Sequence, residues 1–471
     1  MISGQAGRFL IQSAGLVVLA HILSPADYGR YAQIIAIVGV ATLLSDGGLS
    51  LAAIRAGKLT QQQRTNLFWV NAGVGLGLAV LTFVLAYPVA ALYGDPSLIP
   101  LTQGLAPLFV LSGVQVQLRA HVNAQLRFIR LVAADVSGAL FGLLAAVAAG
   151  LLGAGSWALV IQQLATSAVA LLVIAVGARW LPSLPRRTPD MARLYAFGAN
   201  SLANQVLNYL STNVPSIVLG RVGGAVSLGY YNRAYTLFTL PMTQLAAPMT
   251  RVALPVISRD LEPRRLLRRL VLAQTVLCWV LVGVFALVAG TSGPLIGLVF
   301  GARWSFSAPI FQVLAVGGAF QAMAYVYYWA FLATAQTRAQ LRVAAPARVL
   351  MIVLAFPLAA FGGVGIAWAL TIGLVAIWLL LATVGMRRIG LLRAPLVLAA
   401  ARPFAVYAVA VAVQLVTLGA LHALPDAVLV LVGGVELVLV VGVAATVVRP
   451  VRADLLLVAS VLRSVLSRRR A

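Results

Sequence analysis

From its first ten residues almost to its end, the chain is a succession of apolar stretches, each long enough to cross a lipid bilayer. A helix needs about 20 mostly apolar residues to traverse a hydrocarbon core of roughly 30 Å, where every backbone polar group must be satisfied within the protein. The stretches fall at about 6–23, 31–54, 67–92, 100–118, 131–152, 156–178, 197–219, 230–256, 270–290, 308–334, 344–361, 364–386, 403–421 and 426–448. They predict an all-α integral membrane protein of about 14 transmembrane helices. Composition agrees: 62% of the 471 residues are hydrophobic and 9% charged, against roughly 45–50% and 25% in soluble domains. A water-soluble fold is excluded.

The formal charge of +24 would point to nucleic acid in a soluble protein, so its distribution decides its meaning. With the N-terminus cytoplasmic, inner connections collect 30 of the 34 Lys and Arg, leaving only Arg30, Arg221, Arg233 and Arg303 outside. This bias is a positive-inside pattern with both termini cytoplasmic, so the charge reports topology and no nucleic-acid partner is called for. Connections stay within about twenty residues, too short for a soluble catalytic domain.

Cys278 is the only cysteine, which rules out an internal disulfide or a CxxC metal site. His21, His121 and His422 lack a metal-like partner at helical spacing, and no Ser/His/Asp grouping stands out. The sequence therefore calls for no metal, no cofactor and no enzyme site. The stretch Phe9 to Leu23 lacks an A-x-A cleavage pattern and reads as an uncleaved first span. Near the other end, Asp454 to Arg470 sets Leu455, Leu456, Val458, Val461, Leu462 and Val465 beside arginines. That pattern suits either a helix lying on an anionic inner leaflet or a plain solvated basic tail.

Two halves of the chain echo each other in order, as in many transporters. Ala26-Asp-Tyr-Gly29-Arg-Tyr31 is matched by Val226-Ser-Leu-Gly229-Tyr-Tyr231, and Ala124-Gln125-Leu-Arg127 by Ala335-Gln336-Thr-Arg338. The strongest echo pairs Gly153-Ala-Gly155-Ser-Trp157-Ala-Leu159 with Gly363-Val-Gly365-Ile-Ala-Trp368-Ala-Leu370, each the hairpin between the fifth and sixth spans of its half. An even number of spans per copy gives both copies one orientation. The expected organisation is a six-helix bundle over 1–180, a cytoplasmic linker over 181–196, a second bundle over 197–386, two added helices over 387–448 and a basic tail over 449–471. Two facing bundles would enclose a cleft that opens to either side by rocking.

These motifs resemble the polysaccharide transporter, or oligosaccharide flippase, family within the multidrug/oligosaccharidyl-lipid/polysaccharide exporter superfamily, over most of residues 1 to 390. The resemblance is carried by Leu23-Ser-Pro-Ala-Asp-Tyr-Gly-Arg-Tyr31, Leu44-Ser-Asp46-Gly-Gly-Leu49, Leu67-Phe-Trp69-Val-Asn71 and Tyr93-Gly94-Asp95-Pro96. In the second half it rests on Leu219-Gly220-Arg221, Gly229-Tyr-Tyr231-Asn-Arg-Ala234-Tyr235, Leu240-Pro241, Leu254-Pro255 and Phe300-Gly301-x-x-Trp304, which look like the lipopolysaccharide exporter branch. It implies a fold like that of the multidrug exporters of the superfamily. It further implies an undecaprenyl-pyrophosphate-linked oligosaccharide as cargo, moved from the inner to the outer leaflet of a bacterial plasma membrane. A proton or sodium gradient would supply the energy, and a polysaccharide polymerase and glycosyltransferases would be partners. Many relatives carry an acid two positions after the asparagine of the seventh span, where this chain has Asn213-Val-Pro215, so a coupling role for that carboxylate is in doubt.

Charges inside spans are costly and usually face a cavity or a partner. Asp46, late in the second span, is either a proton or cation site or an ion pair near the inner surface. Arg8, Arg55 and Arg251 lie near inner ends of spans, where guanidinium forks grip a pyrophosphate bidentately or merely fix orientation by charge. The seventh span carries Asn200, Ser201, Asn204, Gln205, Asn208, Ser211, Thr212 and Asn213, and positions 201, 204, 205, 208 and 212 share one helical face. That face lines a wet cavity offering partners to sugar hydroxyls, or it hydrogen-bonds to neighbouring spans. Pro241, Pro248 and Pro255 recur in the eighth span and predict repeated kinks. Glu436 and Asp135 are the other buried acids, with Asp135 expected to pair with Arg127 or Arg130.

Other classes fit less well. A lipid-linked-sugar polymerase or ligase usually brings a large outer loop, whereas the longest here is about 291–307. A drug exporter usually has twelve spans and acids in its first or seventh helix, and neither helix has one here. A non-transporting partner of a polysaccharide synthase shares the hydropathy, but the polar seventh helix and the repeat argue against it.

Overall fold

A computed structural model of the chain describes residues 2–46, 60–178, 180, 182–186, 209, 212–421 and 423–467. Among them every regular element is helical. The helices are α1 (Ile2–Ile22), α2 (Pro25–Asp46), α3 (Gln61–Tyr93), α4 (Leu98–Leu105), α5 (Pro107–Ala124), α6 (Phe128–Leu151), α7 (Trp157–Ala178) and α8 (212–222). There follow α9 (Gly224–Pro241), α10 (Ala247–Ile257), α11 (Pro263–Gly290), α12 (Ser292–Phe300), α13 (Ser307–Ala333), α14 (Thr337–Leu358), α15 (Gly362–Leu380), α16 (Ala394–Ala420), α17 (Asp426–Val447) and α18 (Arg449–Ser467).

Nine helical runs among the described residues are long and apolar enough to cross a membrane. One of them, Thr337–Arg388, is 52 residues long and contains both α14 and α15. A 3-10 turn at Ala359–Phe361 followed by Gly362 at φ 64° reverses the chain, and Gly365 then packs on Leu358 and Gly373 on Met351, so α14 and α15 run antiparallel. Most of the expected seventh span lies outside the described residues.

The chain divides into two compact units, Met1–Gly229 and Tyr230–Ala471. In the first, α1 and α6 run parallel, with Gly15 against Leu143 and Gly150 against Ile22. Parallel packing requires an odd number of crossings between them, as the three expected spans between 24 and 130 provide. Helices in lipid gain no hydrophobic drive from meeting one another, so they associate through close packing of small residues. Accordingly α3 and α5 touch backbone to backbone: a methyl group at Gly75 would lie 2.5 Å from the Phe109 carbonyl oxygen, and one at Gly113 2.5 Å from that of Asn71. Ile34, Val38, Leu78, Val89, Leu101, Phe109 and Val160 form the core where α2, α3, α4, α5 and α7 meet. In the second unit α11 lies against both α13 and α16. It runs parallel to α16, with Gly283 on Tyr407 and Gly290 on Gln414. The apolar window of α13 is 67% buried and that of α17 only 11%, which makes α13 a central helix and α17 a peripheral one.

The repeat is visible in backbone detail. After α5, the amides of Gln125, Leu126 and Arg127 donate to the carbonyls of His121, Asn123 and Val122; after α13, those of Thr334, Ala335 and Gln336 donate to Ala330, Leu332 and Phe331. The same bonds place a non-glycine residue in the left-handed region each time, Leu126 at φ 56° and Ala335 at φ 55°. The structural match of these turns is two residues out of register with the matching Ala-Gln-x-Arg strings. The hairpins that look most alike in sequence differ more: Gly153 and Gly155 carry the first turn at positive φ, whereas a 3-10 turn carries the second.

Two features fix the ends of α3. At one end Arg30 Nε donates to Asp95 Oδ2 at 3.2 Å, which places the start of α2 and the end of α3 on one side, as expected. Burial pushes the Asp95 carboxyl up, but hydrogen bonds from the Ser97 hydroxyl and amide and the Arg30 guanidinium outweigh it and hold the group below its ordinary value. At the other end a single face of α3 clasps residues 183–186 of the expected linker. Asn66 both donates to the Arg186 carbonyl (2.6 Å) and accepts from its amide (3.1 Å). Gln62 donates to the Leu184 carbonyl and Trp69 Nε1 to that of Ser183.

Beyond the membrane spans, α18 is an amphipathic helix whose Val451 and Val458 are buried, packed on α11 and α17.

Candidate functional site

Asp135 on α6 lies between two arginines from other helices. Arg119 Nη2 on α5 donates to Asp135 Oδ1 at 2.7 Å, and Arg8 Nη1 on α1 stands 3.6 Å from Oδ2. The expected partners are not the ones found: Arg130 instead donates to the Gly177 carbonyl at the end of α7, where a cation complements the exposed carbonyls of a helix terminus. With two cations on one carboxylate, the group keeps a net positive charge. The Arg8 side chain is 50% exposed and held only at the longer distance, which leaves guanidinium donors for an anion. Arg119 is the residue that sequence reading missed. Its signal was its place near the end of a span otherwise free of charge.

The remaining candidates divide by position. Arg55, Asn200, Asn204, Gln205 and Asn208 lie outside the described residues. So do the side chains of Asp46, which ends α2, and of Arg251 on α10. Thr212 is exposed at the start of α8. Next to it the seventh span packs on α2: Tyr209 Oη donates to the Ile35 carbonyl at 2.5 Å, and the buried Gln33 side chain donates to the Gly220 carbonyl at 3.1 Å. Asn213 donates back to the Tyr209 carbonyl at 3.0 Å. Glu436 Oε2 on α17 is buried with no hydrogen-bond partner among the described residues. No grouping of three or more His, Cys, Asp or Glu among the described residues is arranged to hold a metal ion.

The start of α2 and the start of α9 cross at a pair of glycines. A side chain at Gly29 would overlap the Ala225 carbonyl, and one at Gly229 would overlap that of Pro25, so the backbones touch. Gly29 and Gly229 occupy equivalent places in the two copies of the repeat. After α9, Pro241 leads into a π-helical segment, Met242–Ala246, before α10 resumes with Pro248 in its first turn. The expected kinks are therefore concentrated in one π-bulge, a form of irregularity frequent at functional sites.

Within the second unit, α11, α13 and α16 form a half-open pocket of about 180 Å³ lined by Val282, Phe285, Ala315, Ala319, Phe404 and Tyr407 among others. Its one polar atom at hand, Tyr407 Oη, already donates to the Trp279 carbonyl. The space suits an apolar chain.

Comparison with known proteins agrees with this architecture. The chain is 29% identical over 317 residues to the lipopolysaccharide biosynthesis protein WzxC of Escherichia coli (strain K12), a match covering 66% of this chain and 64% of the relative, just under two thirds of its length. Its fold is similar to that of the lipid II flippase MurJ in an inward closed conformation, with a TM-score of 0.73 and 14% identity over 94% of this chain and 98% of that one. It is also similar to an inward-facing multidrug resistance MATE family transporter of the MOP superfamily, with a TM-score of 0.63 and 14% identity over 81% and 94% of the two chains. The chain is thus a multi-pass membrane protein of the MOP-type fold, and with residues 18–309 matching the family model it belongs to the polysaccharide biosynthesis protein family.

Proposed function

We propose that the protein is a flippase, not an enzyme, that carries an undecaprenyl-pyrophosphate-linked oligosaccharide across the bacterial plasma membrane by alternating access. In this reading residues 1–180 and 197–386 are the two bundles, 181–196 is the linker, and both termini are cytoplasmic. Cargo enters from the inner leaflet and leaves in the outer one, driven by a proton or sodium gradient. Glycosyltransferases supply the cargo and a polymerase receives it.

The observation that carries the reading is the crossing of α2 and α9 at Gly29 and Gly229. Repeat-equivalent helices that touch backbone to backbone, with no side chain between them, make a seal that parts along a smooth surface. Both glycines stand on the side assigned outside by the arginine bias, so the seal is an outer gate. Arg8, held loosely beside Asp135, is the pyrophosphate ligand of the first bundle, and Arg251 plays that part in the second. The apolar cavity at Phe404 and Tyr407 accommodates part of a polyprenyl chain. The likeness to a solved flippase and the kinship to a lipopolysaccharide biosynthesis protein favour this cargo over a drug.

Deleting the gene should leave lipid-linked units in the inner leaflet, seen as protection of their glycans from an externally added probe; unchanged exposure would sink the proposal. Arg8→Ala combined with Arg251→Ala should reduce translocation while leaving membrane insertion intact, and normal transport by that variant would reject both as ligands.

A further inference from the structure

Between the start of α11 and α18 lies a cavity of about 580 Å³, lined by none of the residues assigned to transport above. Arg265, Arg268 and Arg269 line it from the first turns of α11, and Val271, Leu272, Thr275 and Leu457 continue it into an apolar wall, with Asp454 at its edge. The acids around it are already engaged. Asp454 accepts from Arg402 at 3.3 Å, and Arg265 binds both Asp260 (2.6 Å) and Glu262 (3.3 Å). Arg269 donates only to the Asp260 carbonyl, at 3.4 Å, and Arg268 is exposed with no partner among the described residues. The site therefore presents Arg268, with no partner among the described residues, and Arg269, which feels the Asp260 carboxylate but is within salt-bridge distance of none, beside an apolar slot.

We propose that this cavity seats one anionic phospholipid, its phosphate held by Arg268 and Arg269 and its acyl chains lying along Leu272 and Leu457. Leu272 and Leu457 are 41% and 37% exposed, which a free phosphate would not require but a lipid tail covers. A choline or ethanolamine headgroup would find no unpaired carboxylate, so charge selects an anionic lipid. The amphipathic α18, which packs on α11, forms the second wall through Leu457, and its exposed Leu456 continues the apolar surface.

Native mass spectrometry of the purified full-length chain, with phosphatidylglycerol and phosphatidylcholine of matched acyl chains, tests this. Phosphatidylglycerol should be retained preferentially. Losing charge-assisted contacts in the double variant Arg268→Gln, Arg269→Gln should weaken its binding on the order of tenfold, whereas Arg463→Gln elsewhere on α18 should not. Millimolar inorganic phosphate should fail to displace it. Leu457→Gln, which keeps every arginine, should weaken long-chain phosphatidylglycerol but not a dibutyryl analogue. Equal retention of both lipids, an unaffected arginine variant, or an unaffected Leu457→Gln would overturn the proposal, and displacement by phosphate would overturn it in favour of a free-anion site.

Discussion

Asp135 is the residue whose surroundings say most about how charge is carried inside this protein. It holds Arg119 tightly and Arg8 loosely, so Asp135→Asn should leave two arginines facing each other across a neutral amide. Because the side chains are partly exposed, the cost should be about 1 kcal/mol, read as a lower unfolding temperature in detergent, and an unchanged midpoint would contradict the pairing. Asp95 makes a separate prediction in pH. Its carboxyl is held low, so it adds stability above the ordinary carboxylate pKa of about 3.9, and that contribution is lost as pH falls through the depressed value. With Arg30 and Asp95 38% and 31% exposed, Asp95→Asn should lower stability at neutral pH by less than about 1 kcal/mol, and the difference should shrink as pH falls through the depressed value. Leu126 and Ala335 hold left-handed backbone without being glycine. Leu126→Gly and Ala335→Gly should each stabilise the protein by about 1 kcal/mol, and a loss of stability in either would show that its side chain is needed there.

At the level of elements, the clasp between α3 and residues 183–186 is the most exposed to test. Asn66→Ala removes both bonds to the Arg186 backbone, and should weaken the clasp by about 1–2 kcal/mol, seen as faster hydrogen exchange at the Arg186 amide. Unchanged exchange would mean that Gln62 and Trp69 suffice. This clasp was not legible in the sequence, because an extended segment has no periodicity and its partners are ordinary polar residues on a span. The spans were legible because lipid imposes a length and a composition that few other constraints imitate. Their ends were less so: α2 begins at Pro25 and α9 at Gly224, several residues before the apolar stretches, since backbone hydrogen bonding continues where hydrophobicity stops. The Asp135 pairing was misread for a related reason. Arg127 and Arg130 are near it in sequence, but a partner within a bundle is chosen by which helix lies opposite, and α5 and α1 do. The repeat was readable as an order of motifs, while its register in the turns after α5 and α13 came only from the hydrogen bonds.

For the whole molecule, the membrane placement, the fold and the family converge, and the transport reading adds motion to them. Its mechanical core is the glycine crossing of α2 and α9, where any side chain at Gly29 must push the Ala225 backbone away. Overpacking of this kind costs about 1–3 kcal/mol, enough to shift an equilibrium between states without unfolding the protein. The lipid seat at α11 and α18 is independent of that motion and stands or falls on its own binding data. Transport itself is tested most directly by reconstituting the purified protein into vesicles with an undecaprenyl-pyrophosphate-linked oligosaccharide in the membrane, imposing a proton and a sodium gradient in turn, and following access of a membrane-impermeant glycosidase to glycans that began on the inner side. The account predicts that the protein exposes these glycans well above the rate in protein-free vesicles and that Gly29→Val changes the rate; no exposure beyond the protein-free rate would contradict it.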